Sequence, residues 1–182
     1  MTTNYTTQND LLLNNLKEFY NRDNNMDRML KIINGESNIS LRIIDWFATN
    51  YAKKYYTVYQ LEGTENRFKV YNDYKLKLKA YSKRRFDPFC RWDRIDLPYK
   101  NNTSIQTTLG QLNFFRWALE NKIIDYIEKN AQTINQDMNK RNSTAKNKKP
   151  NNNQTRKKRE ELSVSATRSI KKEEVEIVVK FD

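Results

Sequence analysis

Between Thr108 and Met138, apolar residues recur at helical spacing through Leu112, Phe115, Leu119, Ile123, Tyr126, Ile127 and Ile134. No other part of the chain constrains the fold as strongly. Thr108 and Gln111 have the spacing of a capping box, in which the first hydroxyl accepts from the backbone N–H three residues on. The pattern predicts the longest helix of the molecule, from Thr108 to about Met138. Phe114, Phe115 and Trp117 widen its apolar face until the first half has to be surrounded by other elements.

The remaining elements are predicted around that helix. Leu12, Leu16 and Phe19, then Met26, Met29, Leu30 and Ile33, give two short helices between Asp10 and Gly35, interrupted at residues 21–25. Ser40 is the expected N-cap of a helix reaching about Lys54, with Ile39 and Ile44 placed as a hydrophobic staple. Tyr56–Leu61 and Arg67–Tyr71 are rich in β-branched and aromatic residues and flank a turn at Gly63, which predicts a β-hairpin. Residues 74–85 fit either period; the helix is favoured, with caps at Asn72 and Asp73 and an end near Phe86 imposed by Pro88. The expected class is α+β: one mostly helical domain with a small antiparallel hairpin or sheet.

The domain spans residues 10–138 of the 182, after a disordered start at 1–9. Residues 139–160 lack an apolar period and are too rich in Asn and Lys to offset the entropy of ordering, so they read as a basic linker. Residues 161–182 form an arm. Its apolar positions Val175, Ile177, Val179 and Phe181 alternate as a strand does, and a strand must add to a sheet edge, in its own chain or in another.

Function classes fall to what the chain lacks. It has no histidine, a single cysteine at Cys90, and three glycines, Gly35, Gly63 and Gly110. The commonest metal ligand and general base are missing, an intrachain disulfide is impossible, and neither phosphate-binding glycine loop can be assembled. No enzyme activity, cofactor or metal site is expected. Cys90 has arginines nearby but no base, and reads as a small apolar side chain. No window is apolar enough for a membrane span, and residues 1–10 do not resemble a signal peptide, so a soluble, unsecreted, intracellular chain is expected. The abundance of Asn, Lys, Ile and Tyr is ascribed to codons rich in A and T, which lowers the weight of any single Lys.

The net charge of +12 is concentrated in two blocks. Residues 75–94 carry Lys75, Lys77, Lys79, Lys83, Arg84, Arg85, Arg91 and Arg94 against Asp87 and Asp93. In the linker, Lys148, Lys149 and the run Arg156, Lys157, Lys158, Arg159 form a basic tether. Such blocks attract anionic surfaces. In the first, Phe86, Phe89 and Trp92 interleave with the cations. Two readings stand: a patch that stacks aromatics on bases and neutralises phosphates, or a helix end that folds its aromatics into the core and leaves the arginines outside.

Leu41–Lys54 (LRIIDWFATNYAKK), Phe68–Arg91 (FKVYNDYKLKLKAYSKRRFDPFCR), Thr107–Ala118 (TTLGQLNFFRWA) and the ending from Arg156 to Asp182 resemble a small-protein family of nucleocytoplasmic large DNA viruses, iridovirus-, phycodnavirus- and mimivirus-like. The resemblance implies an association with minor capsid components that join capsomers beneath an icosahedral shell. It transfers no catalytic residue. The first expectation is therefore a non-enzymatic virion protein, a minor capsid or scaffold component that bridges other capsid proteins and self-associates through its strand. Its place is the virion and, during assembly, the viral factory in the host cytoplasm. The second is a basic nucleic-acid-binding protein of genome packaging or late transcription.

Overall fold

The computed structural model describes residues 8–100, 103–146 and 172–174. It is a mostly helical α+β domain, as expected. Helices α1 (Gln8–Tyr20) and α2 (Asn25–Ile33) come first, and the chain leaves α2 through Gly35 at φ 76°. α3 (Leu41–Trp46) starts at the predicted Ser40, whose hydroxyl accepts from the Ile43 N–H at 3.3 Å. A π-helical turn, Phe47–Tyr51, follows, and α4 (Ala52–Lys54) ends where the sequence places it.

The hairpin pairs β1 (Val58–Gln60) with β2 (Arg67–Lys69), and Tyr59 lies opposite Phe68. It is shorter than expected, because Val70 and Tyr71 already belong to α5 (Val70–Tyr81). The Val70 N–H reaches back to the Thr57 carbonyl at 3.2 Å, so the helix begins on the hairpin itself and not at the Asn72 and Asp73 caps. The helical reading of residues 74–85 holds up to Tyr81. There Ser82 takes φ 64°, ψ 162°, and a 3-10 turn, Lys83–Arg85, carries the chain on to Phe86.

Two strands went unpredicted. β3 (Arg94–Pro98) and β4 (Thr103–Thr108) pair antiparallel, Leu97 opposite Ile105 and Ile95 opposite Thr107. The core takes that face: Leu97 and Ile105 are buried. β5 (Lys172–Glu174) adds to the other edge of β4, Lys172 opposite Ile105 and Glu174 opposite Thr103, giving the order β3-β4-β5. The arm thus returns to its own domain at these three positions. Val175, Ile177, Val179 and Phe181 lie outside the described residues, as do Lys148, Lys149, Arg156, Lys157, Lys158 and Arg159 of the tether.

The predicted long helix is two helices. α6 (Leu109–Glu120) stops at Asn121, whose N–H and Nδ2 both donate to the Trp117 carbonyl, at 3.2 and 2.8 Å. Lys122 follows in the left-handed region at φ 54°. α7 (Ile123–Lys146) then bends at Asn130, where Nδ2 donates to the Tyr126 carbonyl at 2.8 Å. In both places an asparagine amide competes for the carbonyl four residues back, the local alternative to the helical ladder that this side chain offers. The apolar period survives because both helices aim it at the same core. α7 also runs on to Lys146, into the segment read as linker.

α6 is buried on nearly every side: Glu120 is exposed, Leu109 and Arg116 are partly buried, and its other residues are buried. Leu16, Met29, Ile44, Phe47, Ile127 and Ile134 join its buried side chains in one core. Polar ties fix the outer elements. Asp137 of α7 accepts from Lys54 at 2.8 Å, Tyr55 at 2.9 Å and the Trp46 indole at 3.2 Å. Asp27 of α2 accepts from Tyr99 and from Lys100 at 2.6 Å, which pins the β3–β4 turn.

Two predictions follow from this framework. Ser82 occupies a backbone region that is comfortable only for glycine. Ser82→Gly should therefore raise stability by about 1 kcal/mol, net of glycine's greater unfolded-state entropy, as read by urea unfolding. Burial works against ionising Asp137, yet the hydrogen bonds from Lys54, Tyr55 and Trp46 outweigh it and hold the carboxyl below its usual range. Asp27 is lowered by Lys100 and Tyr99. A depressed carboxyl contributes stability above its unfolded pKa and loses it as pH falls through the folded one. Unfolding midpoints should thus drop as pH falls below about 4. Asp137→Asn should unfold more easily at neutral pH and show a shallower drop over that acid range.

Candidate interaction face on the fifth helix

The face of α5 follows from its period. Tyr71, Tyr74, Leu78 and Tyr81 form the stripe packed on the core. At 100° per residue Leu76 falls on the opposite side, flanked by Asn72, Lys75 and Lys79. Leu76 is 67% exposed. It lines a shallow depression with Asn72, Lys75, Leu78 and Lys79. Lys77 is partly buried along the flank, and Lys83 and Arg84 continue the exposed basic surface past Ser82. Lys53 of α4, which packs on α5, reaches over the Tyr71 ring at 5.7 Å.

The inner side of α5 is held firmly. The Trp117 indole donates to Asp73 at 3.3 Å. Burial, helped by the carboxylates of Asp45 and Asp87, pushes the Tyr74 hydroxyl up to about 12. It stays neutral and serves packing, its ring 5.9 Å from Trp117 and from Phe86.

The segment Phe86–Trp92 divides sharply. Phe86 and Phe89 are 2% and 3% exposed, so neither can stack on a base; this corrects their placement in a surface patch. Phe86 sits among Tyr81, Phe114 and Trp117, centroids 5.3 to 6.0 Å away. Burying these rings gains more than their exposure would. Arg91 stays in contact with solvent, but its guanidinium is engaged, because Nε and Nη2 clamp the two oxygens of buried Asp87 at 2.7 Å each. Trp92 remains 40% exposed, with the Arg84 guanidinium over its ring and Arg84 bonded to Asp93 at 2.5 Å. Arg85 is half-buried, its carbonyl taken by Asn113 at 3.0 Å.

Of the predicted patch, then, Lys75, Lys79, Lys83, Arg84 and Trp92 are exposed, Lys77 and Arg85 are partly covered, Phe86 and Phe89 belong to the interior, and Arg91 is exposed but paired with buried Asp87. Sequence reasoning missed Leu76, although the spacing that makes Tyr74, Leu78 and Tyr81 a stripe already puts it on the far side. It missed Lys53 because α4 and α5 meet only in three dimensions.

Burial pushes the Cys90 thiol up, only partly offset by Arg94, which leaves it protonated near neutral pH. Among the described residues no group of three or more Cys, Asp or Glu is arranged to hold a metal ion, and no helix is long and apolar enough to cross a membrane. An exposed leucine beside two lysines suits a surface that presents carboxylates next to an apolar contact.

A family model described as "Family of unknown function (DUF7197)" matches residues 2–182. A protein of Acanthamoeba polyphaga mimivirus, "Uncharacterized protein L507", is 43% identical over 157 residues, which is 82% of this chain. The chain spans 60% of that relative's length. The likeness to proteins of nucleocytoplasmic large DNA viruses therefore holds at the level of a viral family. No solved structure matches.

Reversing the charge of Lys75 and Lys79 together should leave the unfolding midpoint within about 0.5 kcal/mol of wild type, since both are exposed. Asp87→Ala should cost about 2 to 3 kcal/mol, because it strands Arg91 and empties a buried hydrogen-bonded site. Chemical denaturation of the two variants side by side checks that the α5 face and the Phe86–Arg91 strap have these opposite roles.

Proposed function

The chain belongs to the family of unknown function DUF7197, and from that premise we propose that it is a non-enzymatic structural protein of a large DNA virus, a minor capsid or scaffold component that bridges other capsid proteins. The observation that carries the reading is Leu76, 67% exposed beside Lys75 and Lys79 on a helix whose other side is locked into the core. An apolar anchor inside a charged rim is how protein interfaces concentrate affinity. The partner's matching surface is acidic, with an apolar knob or groove. The site of action is the virion, reached from the viral factory in the host cytoplasm.

A nucleic-acid-binding role is the second reading, favoured by the exposed row Lys75, Lys79, Lys83 and Arg84. It is weakened by the burial of Phe86 and Phe89, which leaves Trp92, already covered by Arg84, as the aromatic of that segment in reach of a base.

Quantitative mass spectrometry of purified particles from the virus that encodes the chain should recover it at a fixed ratio to the major capsid protein. Its absence from particles ends the structural reading. Leu76→Asp, with stability unchanged, should abolish retention of particle proteins by the immobilised chain. If the same variant retains them fully while Lys75→Glu/Lys79→Glu loses salt-sensitive DNA or RNA binding, the second reading replaces the first.

A further inference from the structure

Ser82 is held in a conformation that nothing in its own contacts accounts for. At φ 64°, ψ 162° it occupies a strained region populated almost only by glycine. What serine brings there and glycine lacks is a hydroxyl. The fold does not use it: Ser82 is exposed, and its hydroxyl neither caps the 3-10 turn that it precedes nor has any other partner among the described residues. Many other hydroxyls of the domain are engaged. Ser40 and Thr108 cap α3 and α6, while Thr49, Thr64 and Thr103 donate to nearby backbone carbonyls.

The charge around this hydroxyl is one-sided. Lys79 lies three residues before it, one turn back along α5, and Lys83 and Arg84 follow it directly; all three are exposed. Ser82 is the only serine or threonine in the basic block 75–94. The carboxylates of that block are already paired, Asp87 with Arg91 and Asp93 with Arg84. The second pair lies in solvent and is easily exchanged for another anionic partner. Residues 82–84 are exposed without a break, and local opening at the end of α5 releases the strain at Ser82, which makes that opening easier.

We propose that Ser82 is a phosphorylation site, the acceptor for a protein kinase whose substrate cleft is acidic and holds Lys79, Lys83 and Arg84 around the serine. In the transfer the hydroxyl oxygen attacks the γ-phosphorus of a nucleoside triphosphate bound to the kinase. The bond to the β-phosphate oxygen breaks, the hydroxyl proton passes to the kinase's base, and the nucleoside diphosphate leaves. The phosphoserine carries about −1.5 to −2 charges at neutral pH, roughly half of what Lys75, Lys79, Lys83 and Arg84 carry together with opposite sign. Its consequence rests on the reading of the α5 face as the dock for an acidic partner: the phosphate repels that partner's carboxylates, and the modified chain is the released form.

Tandem mass spectrometry of the chain isolated from infected cells should find phosphate on Ser82. The full chain incubated with ATP and a purified kinase selective for serines in basic sequence should gain it as well, and Ser82→Ala and Ser82→Gly should each lose that phosphopeptide and no other. Ser82→Gly is expected to be the more stable fold, so its loss of labelling is not a loss of structure. An unmodified Ser82 in both preparations overturns the site, whatever the α5 face binds. Kinase-treated wild type should bind a poly-glutamate peptide roughly tenfold more weakly than kinase-treated Ser82→Ala, a comparison in which phosphates at other positions cancel. Equal binding overturns the switch. If Lys75→Glu/Lys79→Glu also leaves poly-glutamate binding unchanged, the docking reading of α5 fails and the phosphorylation site does not.

Discussion

The structure depends on how the start of α6 is buried. A helix that is apolar enough to be enclosed brings its first turn into the interior, where Thr107, Thr108, Gln111 and Asn113 are all buried. Each polar group left without a partner there would cost about 1 to 3 kcal/mol. The strap Phe86–Arg91 supplies the partners. Gln111 donates to the Pro88 carbonyl at 2.9 Å and accepts from Thr107 at 2.9 Å, while its N–H reaches Thr108 at 3.0 Å. Asn113 takes the Arg85 carbonyl, and the Asp87 N–H takes that of Gly110. Gly110 has no substitute, because a Cβ there would stand 2.8 Å from the Arg84 carbonyl oxygen. Among the described residues, no buried side-chain nitrogen or oxygen lacks a partner. The strings FDPFCR and GQLNFFRWA, which carry most of the family resemblance, are each other's hydrogen-bond partners.

That lock decides which cations remain for a partner. Asp87 at the centre of the strap is buried, and Arg91 neutralises it bidentately, so one of the eight positive charges in residues 75–94 serves the fold. Phe86 inserts between Tyr81 and Trp117 and thereby presses α5 against α6. With its inner side fixed in this way, α5 cannot rotate to bury Leu76. The exposed leucine follows from the packing and does not signal a loosely held helix.

The sequence made helices legible wherever period and cap agreed. Ser40 and Thr108 cap the helices assigned to them, and the stripe Tyr74, Leu78, Tyr81 settles residues 74–85 as helix up to Tyr81. It concealed the break at Asn121 because apolar spacing continues through Ile123 and Ile127, and a side-chain bond to the carbonyl four residues back leaves no mark on a hydrophobic pattern. β3 and β4 were hidden for a different reason. β3, an edge strand, carries Arg94, Asp96 and Pro98, residues that protect a sheet edge, and the central β4 carries Ser, Thr and Gln around Ile105 in place of an apolar run. The interaction face was half legible: charge located it, but only the burial of Phe86 and Phe89 separated the cations that bind outward from the arginine that binds inward.

Three residue pairs make a weak strand. Ordering Lys172, Glu173 and Glu174 costs about 1 to 2 kcal/mol of backbone entropy per residue, against net gains of about 1 kcal/mol for each ladder bond. Such a strand is close to balance on its own. The domain's stability therefore rests on the lock around α6 and not on this third strand, whose three residues are the ones paired with β4.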